Sequence, residues 1–318
     1  MNIECLKYAS VPVDLNIKEG DRVLILTDTK VEKEVYESLA ASVYFKKGVP
    51  NIIIGAAPDA FGAEPSEMAA NAILSADVLI GACSTSITHT DAVRKGLGDG
   101  LRYVAMGGVN IEALTNGAST ADYDEVLETT EKVAEKLTQT SRVRVTSQYG
   151  TDITFSIENR PGFPLAGVFR PGTIACFPDG EAACAPVEGT AEGLLVVDTS
   201  MHHIGNCETP IELTVEKGKV VKIEGGAEAD KLKKLLKEKG DEDSYNIGEF
   251  AIGTNKAARV TGNPQEDKKA YGSVHIAVGD NRTLAGEVRS SLHLDGLLLK
   301  PTVELDGKEI VNNGNADF

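Results

Sequence analysis

Four ionisable residues in the last quarter of the chain lie in strand-like or apolar sequence. His275 lies within SVHIAV, Glu249 within IGEFAIGTN, and His293 and Asp295 form an H-x-D motif. Because side chains alternate along a strand, His293 and Asp295 can point to the same face, about 6–7 Å apart along the strand. An imidazole and a carboxylate at that spacing can converge on one metal ion.

A fifth ionisable residue, Glu181, lies in the Gly/Pro-rich segment FPDGEAACAP. Two histidines with two or three carboxylates suit Zn²⁺, Co²⁺, Mn²⁺ or Fe²⁺ rather than a thiolate site. A single buried histidine or glutamate is more often a structural residue with a satisfied partner, and that alternative stays open for each position. Their joint occurrence favours a site for one or two divalent ions.

Other catalytic motifs lack support in the sequence. No G-x-S-x-G motif occurs, so Ser-His-Asp catalysis is not indicated. The glycine-rich segment 96–100 follows a helix-like segment, which makes it a poor dinucleotide-binding loop. The 5 cysteines form no C-x-x-C pair, and their odd number favours free thiols in a reducing cytoplasm.

Two kinds of pattern indicate the elements that position these residues. In the first half, apolar strand-like segments alternate with helix-like ones, which predicts an α/β domain with a mostly parallel sheet over residues 1–141. The strand-like segments are 22–26, 51–54, 76–81 and 101–105, and the helix-like ones are 31–43, 66–74, 92–97 and 123–137.

The second half is predicted to be a strand-rich, largely antiparallel α+β domain over residues 142–318 that carries the metal site. Three hairpin patterns, each with a glycine-containing turn, support this interpretation. They join 143–147 to 152–157, 211–215 to 220–223, and 303–305 to 309–311, and the main helix is 230–239.

Charge and length restrict the class of function. With 32 Lys+Arg against 48 Asp+Glu, the net charge of −16 argues against nucleic acid or an anionic membrane as a partner. The 318 residues suit two domains. No signal peptide and no apolar run of about 18 residues is recognisable. We therefore expect a cytoplasmic protein that acts on a small molecule.

Several motifs resemble one known superfamily. GSVHIAVGDN, AGEVRSSLHLDG and VELDG, with GEFAIGTN, FPDGEAACAP and more loosely SITHT, are similar to the aminopeptidase T (M29) metallopeptidases. They are also similar to the related 2,5-dihydroxypyridine 5,6-dioxygenases. The resemblance spans roughly residues 75–310, with its specific motifs in 177–307.

The peptidase resemblance implies a metal pair held by two glutamates, two histidines and an aspartate. The matching positions are Glu181, Glu249, His275, His293 and Asp295, all of the same residue type. Where the peptidases carry a tyrosine, seven residues after the first of these histidines, this chain has Arg282.

The dioxygenase resemblance implies one Fe²⁺ held by two histidines and an aspartate. Their H-x-D matches His293 and Asp295, their other histidine falls at Glu249, and their counterpart of His275 is apolar. His89, in SITHT, matches a dioxygenase histidine that acts on the substrate, although a turn residue at a strand end is an equal alternative. The remaining histidines, His202 and His203, match no family motif and read as loop residues, one of which could line the pocket.

These observations favour a metal-dependent hydrolase acting on a small amide, a peptide N-terminus or a cyclic amide, with Glu181 as the proton shuttle. The alternative is a non-haem Fe²⁺ ring-opening dioxygenase; a binding protein with a degenerate site is disfavoured by the intact five-residue set.

Arg282, helped by Arg289, is predicted to bind a small anionic substrate, although a solvated arginine is an equal alternative. We also expect His89 at the mouth of a site between the domains, and a homodimer.

Overall fold

The structure is a computed structural model that describes residues 2–58, 62–170 and 174–318. It divides into two compact units, Met1–Tyr123 with Ala166–Asp179, and Asp124–Leu165 with Gly180–Phe318. The domain boundary at residues 141–142 stays a prediction. None of the described helices is long and apolar enough to cross a bilayer.

The described residues form helices in both units. These are α1 Ile3–Asn16, α2 Lys33–Phe45, α3 Glu67–Ile73, α4 Asp91–Gly98, α5 Ile111–Thr115, α6 Tyr123–Thr138, α7 Ala227–Lys239 and α8 Pro264–Asp267. The strands are β1 Arg22–Asp28, β2 Val49–Gly55, β3 Val78–Ala82, β4 Arg102–Ala105, β5 Arg142–Thr146, β6 Asp152–Ser156, β7 Phe163–Leu165, β8 Ala175–Cys176, β9 Glu181–Cys184, β10 Glu192–Val197, β11 Ser200–Met201, β12 Gly205–Asn206, β13 Ile211–Glu216, β14 Lys219–Glu224, β15 Ile247–Gly253, β16 Val274–Gly279, β17 His293–Leu298, β18 Thr302–Leu305, β19 Lys308–Asn312 and β20 Asn315–Ala316.

The first unit contains a five-stranded sheet in the order β2-β1-β3-β4-β8, whose described strand pairs are all parallel. Helix α2 packs through Val35, Leu39 and Val43, the four-residue apolar spacing visible in the sequence. Side-chain caps at Ser66 and Thr90 begin α3 and α4. The prediction of an α/β unit with a parallel sheet is confirmed.

The second unit packs two antiparallel sheets around one hydrophobic core. The eight-stranded sheet has the order β14-β13-β10-β6-β5-β18-β19-β20, and the seven-stranded sheet has the order β12-β11-β17-β16-β15-β9-β7. Phe155 of one sheet meets Phe250 of the other, with ring centroids 5.3 Å apart. Leu137 of α6 and Leu232 of α7 join the same core. The predicted strand-rich, antiparallel second half is confirmed.

Alternation along the strands separates two faces of the seven-stranded sheet. Phe250, Ile276, Val278 and Leu294 lie in the hydrophobic core between the sheets. The residues that alternate with them therefore point to the opposite face. Large apolar side chains anchor these strands from one side, and the other side is available for polar groups.

Candidate metal centre

Four neighbouring strands of the seven-stranded sheet place the five predicted ligands together. Within the order β17-β16-β15-β9, His293 and Asp295 lie on β17, His275 on β16, Glu249 on β15 and Glu181 on β9. Ionisable groups that are up to 114 positions apart in the sequence thus share one face of one sheet.

Each of these side chains has a small residue beside it on a neighbouring strand. Each ionisable residue has an alanine or glycine as a cross-strand partner, and directly paired residues point to the same face. The pairs are Glu181 with Gly253, Glu249 with Ala277, His275 with Ala251, His293 with Gly279, and Asp295 with Ala277. On their other sides Glu181 pairs with Leu165 and His275 with Leu297, so the polar side chains are flanked by small residues on one side and by leucines at two positions on the other.

The five side chains form two groups that share Glu249. In the first group, His293 Nε2 lies 2.8 Å from Glu249 Oε2 and 3.0 Å from Asp295 Oδ1. In the second, His275 Nε2 lies 3.2 Å from Glu249 Oε1 and 3.9 Å from Glu181 Oε2. Within each group the candidate ligand atoms all lie within 4.8 Å of one another, close enough for one ion to reach all three residues.

The orientation of His293 is set by the backbone. Its Nδ1 lies 2.7 Å from the carbonyl oxygen of Asp280. A carbonyl oxygen only accepts hydrogen bonds, so Nδ1 carries the proton and donates it. Nε2 then faces the carboxylates and is the nitrogen available to a metal ion, the arrangement by which outer hydrogen bonds orient histidine ligands.

Burial and neighbouring charges have opposite effects on the pKa values of Glu249 and His293. Burial disfavours ionised Glu249, but hydrogen bonds with His275 and His293 outweigh it and lower the pKa of this carboxyl group. Burial also disfavours charged His293, yet Asp295 and Glu249 raise its pKa well above the usual value. Without a metal ion, the carboxylates thus hold a positive charge between them, where a metal cation would be stabilised.

Two lysines that the sequence analysis did not single out complete the cluster. Lys268 Nζ lies 2.8 Å from Asp295 Oδ2 and 3.7 Å from Glu181 Oε1, and Lys269 Nζ lies 2.8 Å from the same Glu181 oxygen. Burial acts to lower the pKa of Lys268, but Asp295 and Glu181 raise it well above its usual value. Their position just before the strand of His275 was the available signal, but adjacent lysines in the charged segment QEDKKAYG resemble a solvated loop.

Asp267, the last residue of α8, has a buried carboxylate that positions the residues following it. Asp267 Oδ1 accepts hydrogen bonds from the backbone nitrogens of Thr261, at 2.8 Å, and Gly262, at 3.1 Å. Its other oxygen accepts one from Ser200 Oγ at 3.0 Å. Because Asp267 is fully buried and satisfied from three sides, it fixes the start of the segment that carries Lys268.

His202 lies beside the cluster, whereas His203 is exposed. The backbone nitrogen of His202 donates to the carbonyl oxygen of Asp295 at 2.9 Å, and the two histidine rings stack with centroids 4.3 Å apart. Burial lowers the pKa of His202 to about 4, against the opposing charge of Asp295. Its imidazole is therefore neutral near pH 7.

The remaining predicted residues do not belong to the two groups of candidate ligands. Arg282 begins the short 3-10 helix Arg282–Leu284, is 52% exposed, and donates from Nε to Asp280 Oδ2 at 2.9 Å. Arg289 is exposed. His89 belongs to the first unit, in the turn before α4. The catalytic roles assigned to Arg282 and His89 stay predictions.

The cluster has the properties of a divalent metal site. Glu181 Oε2 is a buried carboxylate oxygen that accepts no hydrogen bond within the described parts of the chain. Buried carboxylate oxygens ordinarily have partners, and a bound cation, a water molecule or a substrate group would provide one. Imidazole nitrogens together with carboxylate oxygens are a donor set that suits first-row divalent metals.

Comparisons with known proteins agree with this description. The family model described as 2,5-dihydroxypyridine 5,6-dioxygenase (NicX) matches residues 13–317. A curated 2,5-dihydroxypyridine 5,6-dioxygenase from Pseudomonas putida is 28% identical over 192 residues, which is 56% of this chain. That match spans only 55% of the relative's length.

Two solved structures share the fold. The 2,5-dihydroxypyridine dioxygenase of Pseudomonas putida KT2440 superposes with a TM-score of 0.79 at 21% identity, covering 100% of this chain and 98% of that one. Wild-type AmpT from Thermus thermophilus superposes with a TM-score of 0.72 at 14% identity, covering 99% of each chain. The superfamily recognised from the motifs is thereby confirmed.

Proposed function

Because this chain belongs to the 2,5-dihydroxypyridine 5,6-dioxygenase family, we propose that it is a metal-dependent dioxygenase that opens a small hydroxylated ring. The observation that carries the proposal is the group of Glu249, His293 and Asp295 on the polar face of the sheet. Family membership and the curated relative favour ring opening over the hydrolase that we expected from the sequence.

In this proposal Glu249, His293 and Asp295 hold the ion. An Fe²⁺ ion bound there would supply the redox chemistry of oxygen activation, with coordination positions left open for O₂ and substrate. Asp280 keeps the ring of His293 in its binding orientation through the 2.7 Å hydrogen bond. Lys268 holds Asp295 Oδ2 at 2.8 Å, so that Oδ1 is the oxygen presented to the ion.

Three further residues are proposed to act on the substrate. Glu181, whose Oε2 lies on the polar face, accepts and returns a proton. His89 contacts the ring, as the resemblance to the dioxygenases implies. Arg282 binds a negatively charged oxygen of the substrate through its guanidinium group, an interaction that its half-exposed position permits.

A second candidate function is a metal-dependent hydrolase of a small amide. The position of Glu249 favours it, since one oxygen lies 3.2 Å from His275 and the other 2.8 Å from His293. A carboxylate placed between two groups can bridge two metal ions, and a metal pair can activate water and polarise a carbonyl.

One experiment separates the two functions. The chain is stripped of metal, loaded anaerobically with Fe²⁺ or with Zn²⁺, Co²⁺ or Mn²⁺, and supplied with 2,5-dihydroxypyridine or with amino-acid amides. Ring opening predicts O₂ consumption with the dihydroxypyridine in the Fe²⁺ protein alone. Amide cleavage without O₂ consumption in the Zn²⁺, Co²⁺ or Mn²⁺ protein would instead establish the hydrolase. The homodimer and the cytoplasmic location stay predictions.

A further inference from the structure

Two ammonium groups reach the carboxylates that a second metal ion would need. Lys269 Nζ lies 2.8 Å from Glu181 Oε1, and Lys268 Nζ lies between Glu181 and Asp295, at 3.7 and 2.8 Å. The side chain of Lys269 is only 4% exposed and that of Lys268 only 15%. Such buried ammonium groups are stable only beside compensating negative charge, and so they are integral to the cluster.

The net charge of the cluster depends on how many metal ions it binds. Glu181, Glu249 and Asp295 contribute three negative charges, and Lys268 and Lys269 contribute two positive ones. In a metal-loaded centre the imidazole ligands are neutral, and these side chains then sum to one excess negative charge before the charge of the ion is added. Binding of one divalent ion gives the cluster a net charge of +1, whereas binding of two ions would give it a net charge of +3. The two lysines together carry the charge of one divalent ion.

We propose that Lys268 and Lys269 take the place of a second divalent cation, so that the centre binds a single ion in the group of Glu249, His293 and Asp295. This inference rests on the proposed function, because it requires a metal-dependent centre. Glu181, held by both lysines, then remains outside the coordination sphere and keeps Oε2 for the substrate or a water molecule.

The single ion also specifies the charge of the substrate. The loaded cluster has one excess positive charge, which a ligand with one negative charge cancels. A ring compound with one deprotonated hydroxyl group has that charge. A neutral amide would leave the buried positive charge uncompensated, and it is therefore a poorer ligand for this centre.

The test is a metal titration that does not depend on turnover. The full chain, stripped with a chelator, is titrated with Co²⁺, and bound metal is measured by visible absorption and by elemental analysis after desalting. We expect saturation at one equivalent in the wild type and at two equivalents in the double variant Lys268→Met/Lys269→Met. Lys268→Arg, which keeps the charge, should stay at one equivalent.

Controls keep each outcome decisive. Lys222→Met removes a lysine that is 60% exposed and should leave one equivalent. The single variants Lys268→Met and Lys269→Met are titrated too, so that loss of folding in the double variant does not end the test; each should take up a second ion. The inference is overturned if the wild type binds two equivalents of Co²⁺, or if every folded variant of Lys268 or Lys269 to methionine still binds one. Either result leaves the proposed metal-dependent function standing. No bound metal in the wild type overturns the proposed function as well.

Discussion

A side-chain carbon at Gly253 would lie 2.1 Å from the carbonyl oxygen of Ala270. Gly253 ends β15, and its nitrogen donates to the carbonyl oxygen of Ser273 at 2.9 Å. The loop that carries Lys268 and Lys269 can therefore approach the polar face only because position 253 has no side chain.

Gly253→Ala should move this loop and destabilise the protein. Overpacking of this kind costs about 1–3 kcal/mol, and we expect the free energy of unfolding in urea to fall by that amount. The matched control is Gly98→Ala, where an added carbon has no neighbour within 4 Å, so stability should be unchanged or slightly higher. Equal stability of both variants would contradict the close packing of Gly253 against the backbone of Ala270.

His293→Gln should remove a metal ligand without disturbing the core. The metal affinity should fall at least about 100-fold, the upper range for loss of an outer partner of a ligand. Dialysis against graded chelator followed by elemental analysis measures it. His203→Gln, at an exposed histidine, should retain wild-type affinity, and an equal loss in both variants would argue against a specific role of His293.

His89→Gln should separate catalysis from metal binding. If His89 acts on the substrate, kcat should fall about 100- to 10,000-fold, as for loss of a general acid or base. Bound metal should stay at the wild-type level, because the five clustered residues belong to the other unit. Unchanged kcat with the best substrate would remove His89 from the mechanism.

Arg282→Lys should weaken the binding of an anionic substrate. Lysine keeps the positive charge but loses the guanidinium fork, so binding should weaken by about 1.5–3 kcal/mol, the energy of a charge-assisted hydrogen bond. Steady-state kinetics measures this as a lower kcat/KM. A wild-type kcat/KM would mean that Arg282 does not bind the substrate and has only a structural role in its ion pair with Asp280.

Asp77→Asn should lower stability in a pH-dependent way. Hydrogen bonds from the side chain and backbone of Arg22 lower the pKa of Asp77 to about 2. A carboxyl group with a lowered pKa stabilises the fold above about pH 4, and this contribution is lost as the pH falls towards 2. Because Asp77 is 38% exposed, screening reduces the expected loss to about 1 kcal/mol at pH 7.

Urea unfolding of the wild type and Asp77→Asn at pH 7, 5, 4 and 3 measures this dependence. The difference between the two proteins should shrink at the lowest pH. Asp14→Asn is the control, because the ion pair of Asp14 with Lys46, at 3.0 Å, is exposed and should contribute little. A difference that does not change with pH would contradict the assignment.

The sequence predicted those parts of the fold and the site that depend on local patterns. The strands of His275 and of His293 were recognisable because apolar residues flank one or two polar ones. Helix α1 was not predicted: Pro12 lies within it, and proline ordinarily argues against a helix interior. Lys268 and Lys269 were missed because their burial depends on the approach of two segments at Gly253, which no local pattern reports.

The alternation of the central strands lets catalysis and folding vary independently. Phe250, Ile276 and Leu294 hold the strands from one side, while Glu249 and its neighbours occupy the other. An exchange of one ligand for another on the polar face leaves the packing of the core unaltered. Mutation can therefore change a residue of the polar face without repacking the core, provided that the negative charge beside Lys268 and Lys269 is kept.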